Sequence, residues 1–382
     1  MIATIRTWSR RTGWVGDLSG AFADLGIFLP LVVGVLIVGD LDPSGLLLGF
    51  GIFAVATGLI YRLPIPVQPM KIVAALAIAG GMGTAAVAAS GVLLGVALLV
   101  LGVSGLINRV DRLVPRTVLL GIQLGLGLQL VQASIGFAGP HLAFGALVLA
   151  LLIGLQMTPI RSSSCFLLLA GAIIWSLATG ASEMPSIAPS WHMPSLVIFD
   201  LGAFREAFET GFLPQLALTL TNAVLLTAVM AADYFPKARE RATTQRLALS
   251  SGALNLLLAP FGALPMCHGA GGLAAQYHQG ARSGLAPVIF GMACLLLGIL
   301  AASQALEWLL LVPIPVVAAL LAYAGVQLAH SKRLANVGRF CLAIIVLTAL
   351  SALLINPAFG LIVGLAAEFL RSRINRHRQA AQ

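Results

Sequence analysis

Along almost the whole chain, apolar residues come in runs of about 15 to 23, each cut off by glycine, proline or charge. Read this way, the first half holds segments at roughly 20–38, 46–61, 65–80, 85–107, 117–135, 141–157 and 164–180. The second holds roughly 212–233, 246–259, 263–279, 285–305, 309–329, 338–355 and 357–372. Runs of this length and number predict an all-α integral membrane protein of about 14 transmembrane segments. Composition agrees: 59% of the 382 residues are hydrophobic and 9% are charged, where a soluble domain carries about a quarter charged. The first segment reads as part of the protein rather than a cleavable signal, being polar through Asp17 and lacking a small-residue cleavage site.

The net charge of +9 would suit a nucleic-acid partner if the bases were clustered on one soluble surface. They are instead spread over alternate short loops, from Arg6, Arg10 and Arg11 to Arg371, Arg373, Arg376 and Arg378. Only Arg205 and Lys71 fall elsewhere, while Asp40, Asp42, Glu183, Asp200, Glu206, Glu209 and Glu307 mark the opposite loops. That is the positive-inside pattern. It predicts a multi-pass protein of a bacterial inner membrane with both termini cytoplasmic, partnered by the bilayer and not by nucleic acid.

The two halves share a layout. In each, the third segment opens with a proline-broken stretch, Leu63-Pro64-Ile65-Pro66-Val67-Gln68-Pro69-Met70-Lys71 and Phe261-Gly262-Ala263-Leu264-Pro265-Met266-Cys267-His268-Gly269. Seven segments per half is an odd number, so the second half inserts upside down. The expected organisation is a first inverted repeat over 1–180, an extracytoplasmic linker over 181–211 and a second repeat over 212–382 ending in a short basic tail. Broken segments at matching places in inverted repeats point to a secondary transporter's binding site.

Chemistry follows from the breaks. Prolines 64, 66 and 69 forbid a continuous helix, so a half-helix is expected to start near Lys71 and another near Gly269-Ala270-Gly271. Facing N-termini offer unpaired amides and positive dipole ends, a cradle for a compact anion. Lys71 in the first turn is disfavoured by the dipole and by burial, and a bound anion or the carboxylate of Asp24 would relieve both. Gln68, Pro69, Met70, Lys71, Cys267, His268, Gly269, Ala270 and Gly271 are therefore candidate substrate-binding residues, with Asn222 on the eighth segment added as a polar contact. Asp24 and His268 are the proton-coupling candidates. Asp17, seven residues before Asp24 on what would be one helical face, reads as a solvated or capping residue. The cysteines Cys165, Cys267, Cys294 and Cys341 read chiefly as small apolar residues.

No catalytic motif, phosphate-binding loop, cofactor fingerprint or metal-ligand spacing is present, so neither an enzyme, an ATP-driven pump, a metal site nor a cofactor is expected. A single site between broken helices suits alternating access better than the continuous pore of a channel.

Three stretches resemble the molybdate transporter family of plants, algae and bacteria, which is related to the SulP sulfate permeases. They are Gly16-Asp17-Leu18-Ser19-Gly20-Ala21-Phe22-Ala23-Asp24-Leu25-Gly26, Pro66-Val67-Gln68-Pro69-Met70-Lys71 and Met266-Cys267-His268-Gly269-Ala270-Gly271-Gly272-Leu273-Ala274. The resemblance implies the seven-plus-seven inverted-repeat fold shared with uracil permease, in which a core domain moves against a gate domain, each drawn from both repeats. It implies molybdate uptake by a secondary transporter, with the anion between segments three and ten and protons as coupling ion. Sulfate and tungstate are the alternative oxyanions, and dimerisation is implied by the resemblance alone. The short tail after Glu368 leaves no room for the regulatory STAS domain of many SulP proteins.

Overall fold

A computed structural model describes residues 13–38, 41–107, 115–158, 164–185, 193–300, 304–330 and 338–380. Arg6, Arg10, Arg11, Asp40, Arg109, Arg112, Arg161, Lys332 and Arg333, which carry part of the charge pattern, lie outside the described residues. The protein is built almost wholly of helices: α1 Gly13–Ala21, α2 Leu25–Val38, α3 Pro43–Tyr61, α4 Lys71–Ile78, α5 Thr84–Ser104, α6 Arg116–Ala138, α7 Leu142–Gln156 and α8 Ser164–Ala178. The second half gives α9 Leu201–Tyr234, α10 Thr244–Leu258, α11 Ala270–His278, α12 Leu285–Leu300, α13 Ala305–Leu309, α14 Ile314–Ala329, α15 Arg339–Leu354 and α16 Pro357–Ala380. Among the described residues, five helical stretches are long and apolar enough to cross a membrane, and further apolar helices are shorter.

Two boundaries differ from the sequence expectation. The first segment is not one helix: a turn over Phe22–Asp24 separates α1 from α2. Asp17 and Asp24 therefore do not share a helical face. Asp17 is instead a buried clamp, its Oδ1 accepting from the amides of Arg282 (2.8 Å) and Ser283 (3.0 Å) and its Oδ2 from the Ser283 hydroxyl (2.6 Å). The eighth segment begins at Leu201, inside the stretch expected to be linker, because Asp200 caps it by accepting from the Ala203 amide at 2.7 Å. Within α9 the hydrogen bonding widens to π-helical over Phe208–Phe212 and again over Thr219–Leu226.

The centre of the molecule is a two-residue antiparallel pairing of β1 (Gln68–Pro69) with β2 (Met266–Cys267), in register Gln68 with Cys267 and Pro69 with Met266. Its hydrogen bonds must be complete, since no lipid group can replace them. The Met70 amide donates to Pro265 O at 2.8 Å. On the other edge Asn255 of α10 stands in for a strand, its Nδ2 donating to Met266 O (2.6 Å) and its Oδ1 accepting from Met266 N (2.8 Å). Prolines 64, 66 and 69 also reduce the number of amides that need partners. Because the strands are antiparallel, α4 and α11 leave the crossing in opposite directions with their N-termini at it.

Around this centre α3 packs along α12 and α5 along α10, while α6 packs against α14 and α15. The α3–α12 crossing is close enough that a Cβ on Gly291 would lie 2.8 Å from Gly51 O and from the Val55 amide, so only glycine fits there.

The Asp17 clamp ties the start of α1 to the loop before α12. Asp17→Ala strands two amides and a hydroxyl, and should destabilise the detergent-solubilised protein by roughly 2–4 kcal/mol, with Asp17→Asn costing less. Superimposable melting curves for wild type and Asp17→Ala would refute the clamp.

Candidate anion site

The site is assembled where the two half-helices begin. In α11 the first amide to find a helical partner is Leu273 N, 3.0 Å from Gly269 O. The amides of Ala270, Gly271 and Gly272 precede it and have no partner among the described residues. No side chain caps this end, and a Cβ on Gly271 would meet nothing within 4 Å. The end is therefore open, and it carries the positive pole of the helix.

The N-terminus of α4 is different. Gln215 of α9 is buried and its Oε1 accepts from the Ile72 amide at 2.8 Å, while its Nε2 donates to Thr219 Oγ1 at 2.9 Å. A side chain from another helix thus caps α4. The expected cradle of two equivalent helix ends is lopsided: at α4 a side chain takes one of the three first-turn amides, and at α11 none is taken.

A cavity of about 560 Å³ lies against the open end. Gly271, Ala275 and His278 line it along one face of α11, and Ala23, Asp24, Gly26 and Ile27 line it from the break between α1 and α2. Facing them are Gln156 of α7, Cys165 of α8, and Tyr323 and Gln327 of α14. Asp24 accepts a hydrogen bond from Gln68 Nε2. Gln68 lies flat against the start of α11, so that a Cβ on Gly269 or Gly272 would collide with its carboxamide. Lys71 does not line this cavity, yet its charge acts on both Asp24 and Cys267. It makes no ion pair within 4.0 Å among the described residues, so the alternative role weighed for it, an ion pair with Asp24, is not formed.

Of the residues picked out by sequence, Gln68, Pro69, Met70, Lys71, Cys267, Gly269, Ala270 and Gly271 come together at the crossing, with Asp24 beside them. Two do not join them. Asn222 sits in the second π-helical stretch of α9, away from the cavity lining. His268 is fully buried and turned into a different network. Its Nδ1 lies 3.1 Å from Pro66 O and its Nε2 3.3 Å from Ser250 Oγ, which in turn bonds the Tyr61 hydroxyl. Pro66 O can only accept, so Nδ1 carries the proton and Nε2 accepts from Ser250. Phe53 and Tyr61 pack edge-on to the ring with centroids 5.7 and 5.5 Å away. His268 is a strut beneath β2, not a lining residue.

Sequence reading missed Gln215, and it missed Gln156, Cys165, Tyr323, Gln327 and His278 around the cavity. Gln215 was legible in principle as a lone polar residue within Leu213-Pro214-Gln215-Leu216, as were Tyr323 and Gln327, four apart on an apolar helix.

Comparison with known proteins now settles the kinship. A family model described as "Molybdate transporter of MFS superfamily" matches residues 16–130 and 207–328. The chain is 30% identical to molybdate transporter 1 of Arabidopsis thaliana over 397 aligned residues, covering 92% of this chain and 86% of the relative. The chain belongs to the molybdate transporter family. It is a multi-pass membrane transporter, 30% identical also to molybdate transporter 2 of Arabidopsis thaliana over 83% of this chain and 78% of the relative. A third relative, molybdate transporter 1 of Chlamydomonas reinhardtii, is 28% identical over 94% of this chain and 91% of its own length. In fold the chain matches the transmembrane domain of the cyanobacterial bicarbonate transporter BicA, with a TM-score of 0.67 at 18% identity, over 93% of this chain and 97% of that one. It also matches the murine Solute Carrier 26 family member A9 anion transporter in its inward-facing state, with a TM-score of 0.67 at 14% identity, over 96% and 69% of the two chains. The architecture is thus the uracil-permease-like one of SulP-type anion transporters, as the resemblance implied.

The strut assignment has a consequence. His268→Ala should lower thermal stability by roughly 2–3 kcal/mol through a cavity and two stranded hydrogen-bond partners, and leave the pH profile of anion uptake unchanged. A shifted profile in the folded variant would return His268 to the transport chemistry.

Proposed function

We propose that this protein imports molybdate as a secondary active transporter, holding the tetrahedral dianion at the open N-terminus of α11. The observation that carries the reading is the run of amides at Ala270, Gly271 and Gly272 without a partner among the described residues, with Gly271 lining a cavity large enough for an oxyanion and its water. Backbone amides at a helix N-terminus suit a compact oxyanion without a dedicated basic cluster. Lys71, unpaired and acting on the same neighbourhood, supplies the positive charge that a dianion requires. The names of the relatives support molybdate as the anion, with sulfate and tungstate the competing oxyanions of the same shape.

Alternating access is supported by a second cavity of about 860 Å³ on the other side of the crossing. Ile37 and Val38 of α2, Leu76 and Ile78 of α4, and Gln129 and Gln132 of α6 are among its lining residues. Both cavities lie between the same two groups of helices. One group, α1–α5 with α9–α12, carries the crossing and acts as the core; the other, α6–α8 with α14–α16, acts as the gate. Each group combines helices from both repeats, 1–180 and 212–382. Rocking one group on the other would expose the anion to each cavity in turn. Lys237, Arg239 and Arg241 between α9 and α10, with Arg246 in the first turn of α10, support a cytoplasmic side for the α11 cavity.

Asp24 is the proton carrier in this scheme. Its carboxylate lines the anion's cavity and would repel a dianion unless protonated, so import of one would carry a proton with the other. His268 is not needed for that role.

Uptake of radiolabelled molybdate by the purified protein in liposomes is the test. Saturable uptake, driven by an inward proton gradient and resistant to excess sulfate, is expected. Loss of uptake in excess sulfate would make the protein a general oxyanion permease, and no uptake would refute the reading. Lys71→Ala should weaken molybdate binding by roughly tenfold, the through-space value of one positive charge near a dianion, with thermal stability retained. Unchanged affinity would remove Lys71 from the site.

A further inference from the structure

The geometry points to Gln68 as a proton-operated switch: its side-chain amide turns a hydrogen-bond acceptor toward the anion when Asp24 is charged and a donor when Asp24 is protonated. This rests on the anion site proposed above and deepens it.

The argument starts from which end of the carboxamide faces which group. An ionised Asp24 can only accept, so the group that bonds it must be the Gln68 NH₂, as observed. The same rigid amide then directs Oε1 the other way, against Gly269 at the start of α11. That oxygen accepts no hydrogen bond among the described residues. It lies at the Gly269 end of the carboxamide, the outer end of α11, while Nε2 lies at the Gly272 end beside Asp24. With Asp24 charged, the open helix end thus has a carbonyl oxygen beside it and a carboxylate behind it. Both repel an oxyanion.

Protonation reverses the polarity. The Asp24 hydroxyl becomes a donor and needs an acceptor, which only the Gln68 oxygen can supply from that side chain. Rotation of the carboxamide by half a turn about its last bond meets this need and swings the NH₂ toward the helix end. The torsion is a soft one, and amide and carbonyl halves are nearly the same size. One proton taken up thus removes a negative charge and exchanges an acceptor for a donor at the anion's position. The absence of side chains at Gly269 and Gly272 is what leaves the amide room at the helix end.

The other charged or titratable groups around Asp24 are Lys71 on α4, Cys267 on β2 and Cys165 on α8, with His278 on α11 and Tyr323 on α14 along the cavity. None of them reaches the Gln68 carboxamide with a hydrogen bond among the described residues. Lys71 is a cation near Asp24 and makes no hydrogen bond to the amide among the described residues. Its effect survives in any Gln68 variant, which lets the two contributions be separated.

The test is a double-mutant cycle read as molybdate affinity by isothermal titration of the detergent-solubilised full chain across neutral pH. Wild-type affinity should fall as pH rises through the ionisation of Asp24. Asp24→Asn imitates the protonated acid in carrying no charge and in offering a donor that can pair with the Gln68 oxygen. It should bind molybdate about tenfold tighter than wild type at the alkaline end, with no pH dependence, while proton-driven accumulation in liposomes is lost. In a Gln68→Met background, which has no amide to turn, Asp24→Asn should recover only the part due to removal of charge, a gain several-fold smaller. Gln68→Leu provides a second background without an amide or a charge, so a folding failure of the Met variant does not end the test. Equal gains from Asp24→Asn in all three backgrounds would overturn the switch and leave Asp24 acting by charge alone. Wild type that binds no molybdate would overturn the anion site itself, a distinguishable result.

Discussion

Everything distinctive in this molecule follows from one constraint: a backbone amide inside a membrane must find a partner within the protein. Regular helices meet it automatically. The two broken segments do not, and the structure supplies each loose end individually. Asn255 pairs the outer edge of β2, Pro265 O takes the Met70 amide, Gln215 takes the amide of Ile72, and prolines remove the need elsewhere. After these assignments the first-turn amides of Ala270, Gly271 and Gly272, like those of Lys71 and Val73, have no partner among the described residues. An unpaired buried amide costs of the order of 1–3 kcal/mol, which is the ground for proposing an anion at the α11 end, where Gly271 lines a cavity.

The same accounting separates rigid from adaptable regions. The centre is held by short, fully satisfied contacts: the Asp17 clamp, the His268 strut, and helix crossings such as Gly51 on Gly291 where backbones touch. The seam between α1–α5 with α9–α12 and α6–α8 with α14–α16 is by contrast lined by two cavities, one on each side of the crossing. A binding site attached to a stiff body and bordered by a poorly filled seam is the arrangement that rigid-body transport needs.

Much of this was legible in the sequence because hydrophobic runs and prolines act locally. The run lengths show helices, the triplet of prolines before Lys71 shows where one must break, and the matching Pro265 shows the repeat. The fold and the places where the helices break therefore followed from local rules, and the family motifs agreed. What stayed hidden depends on contacts between distant residues. Nothing near Gln215 says that its carboxamide will cap α4, 143 positions away. Nothing beside His268 says that Ser250 and Pro66 will occupy both ring nitrogens, and a histidine at a break is as good a ligand on paper as Lys71. Asp24 looked like one turn in a continuous helix, whereas Phe22–Asp24 interrupts it and brings the carboxylate to the cavity.

Charge decides why a carboxylate belongs at an anion site at all. Two like charges about 4 Å apart cost on the order of 4 kcal/mol at the effective dielectric of a partly hydrated pocket. A dianion beside ionised Asp24 meets that cost twice over, and Lys71 offsets only part of it. Were Asp24 only an obstacle, a neutral residue would serve the site better. Its value lies in the dependence it creates, because any group that weakens anion binding when charged must, by reciprocity, bind its proton more tightly when the anion is present. A carrier that moves only when both or neither are bound then harnesses the proton gradient to the anion. On this view the lopsided cradle is no defect. In the proposed scheme the anion sits at α11, on the side where Gln68 and Asp24 stand and where its binding can be felt by a proton.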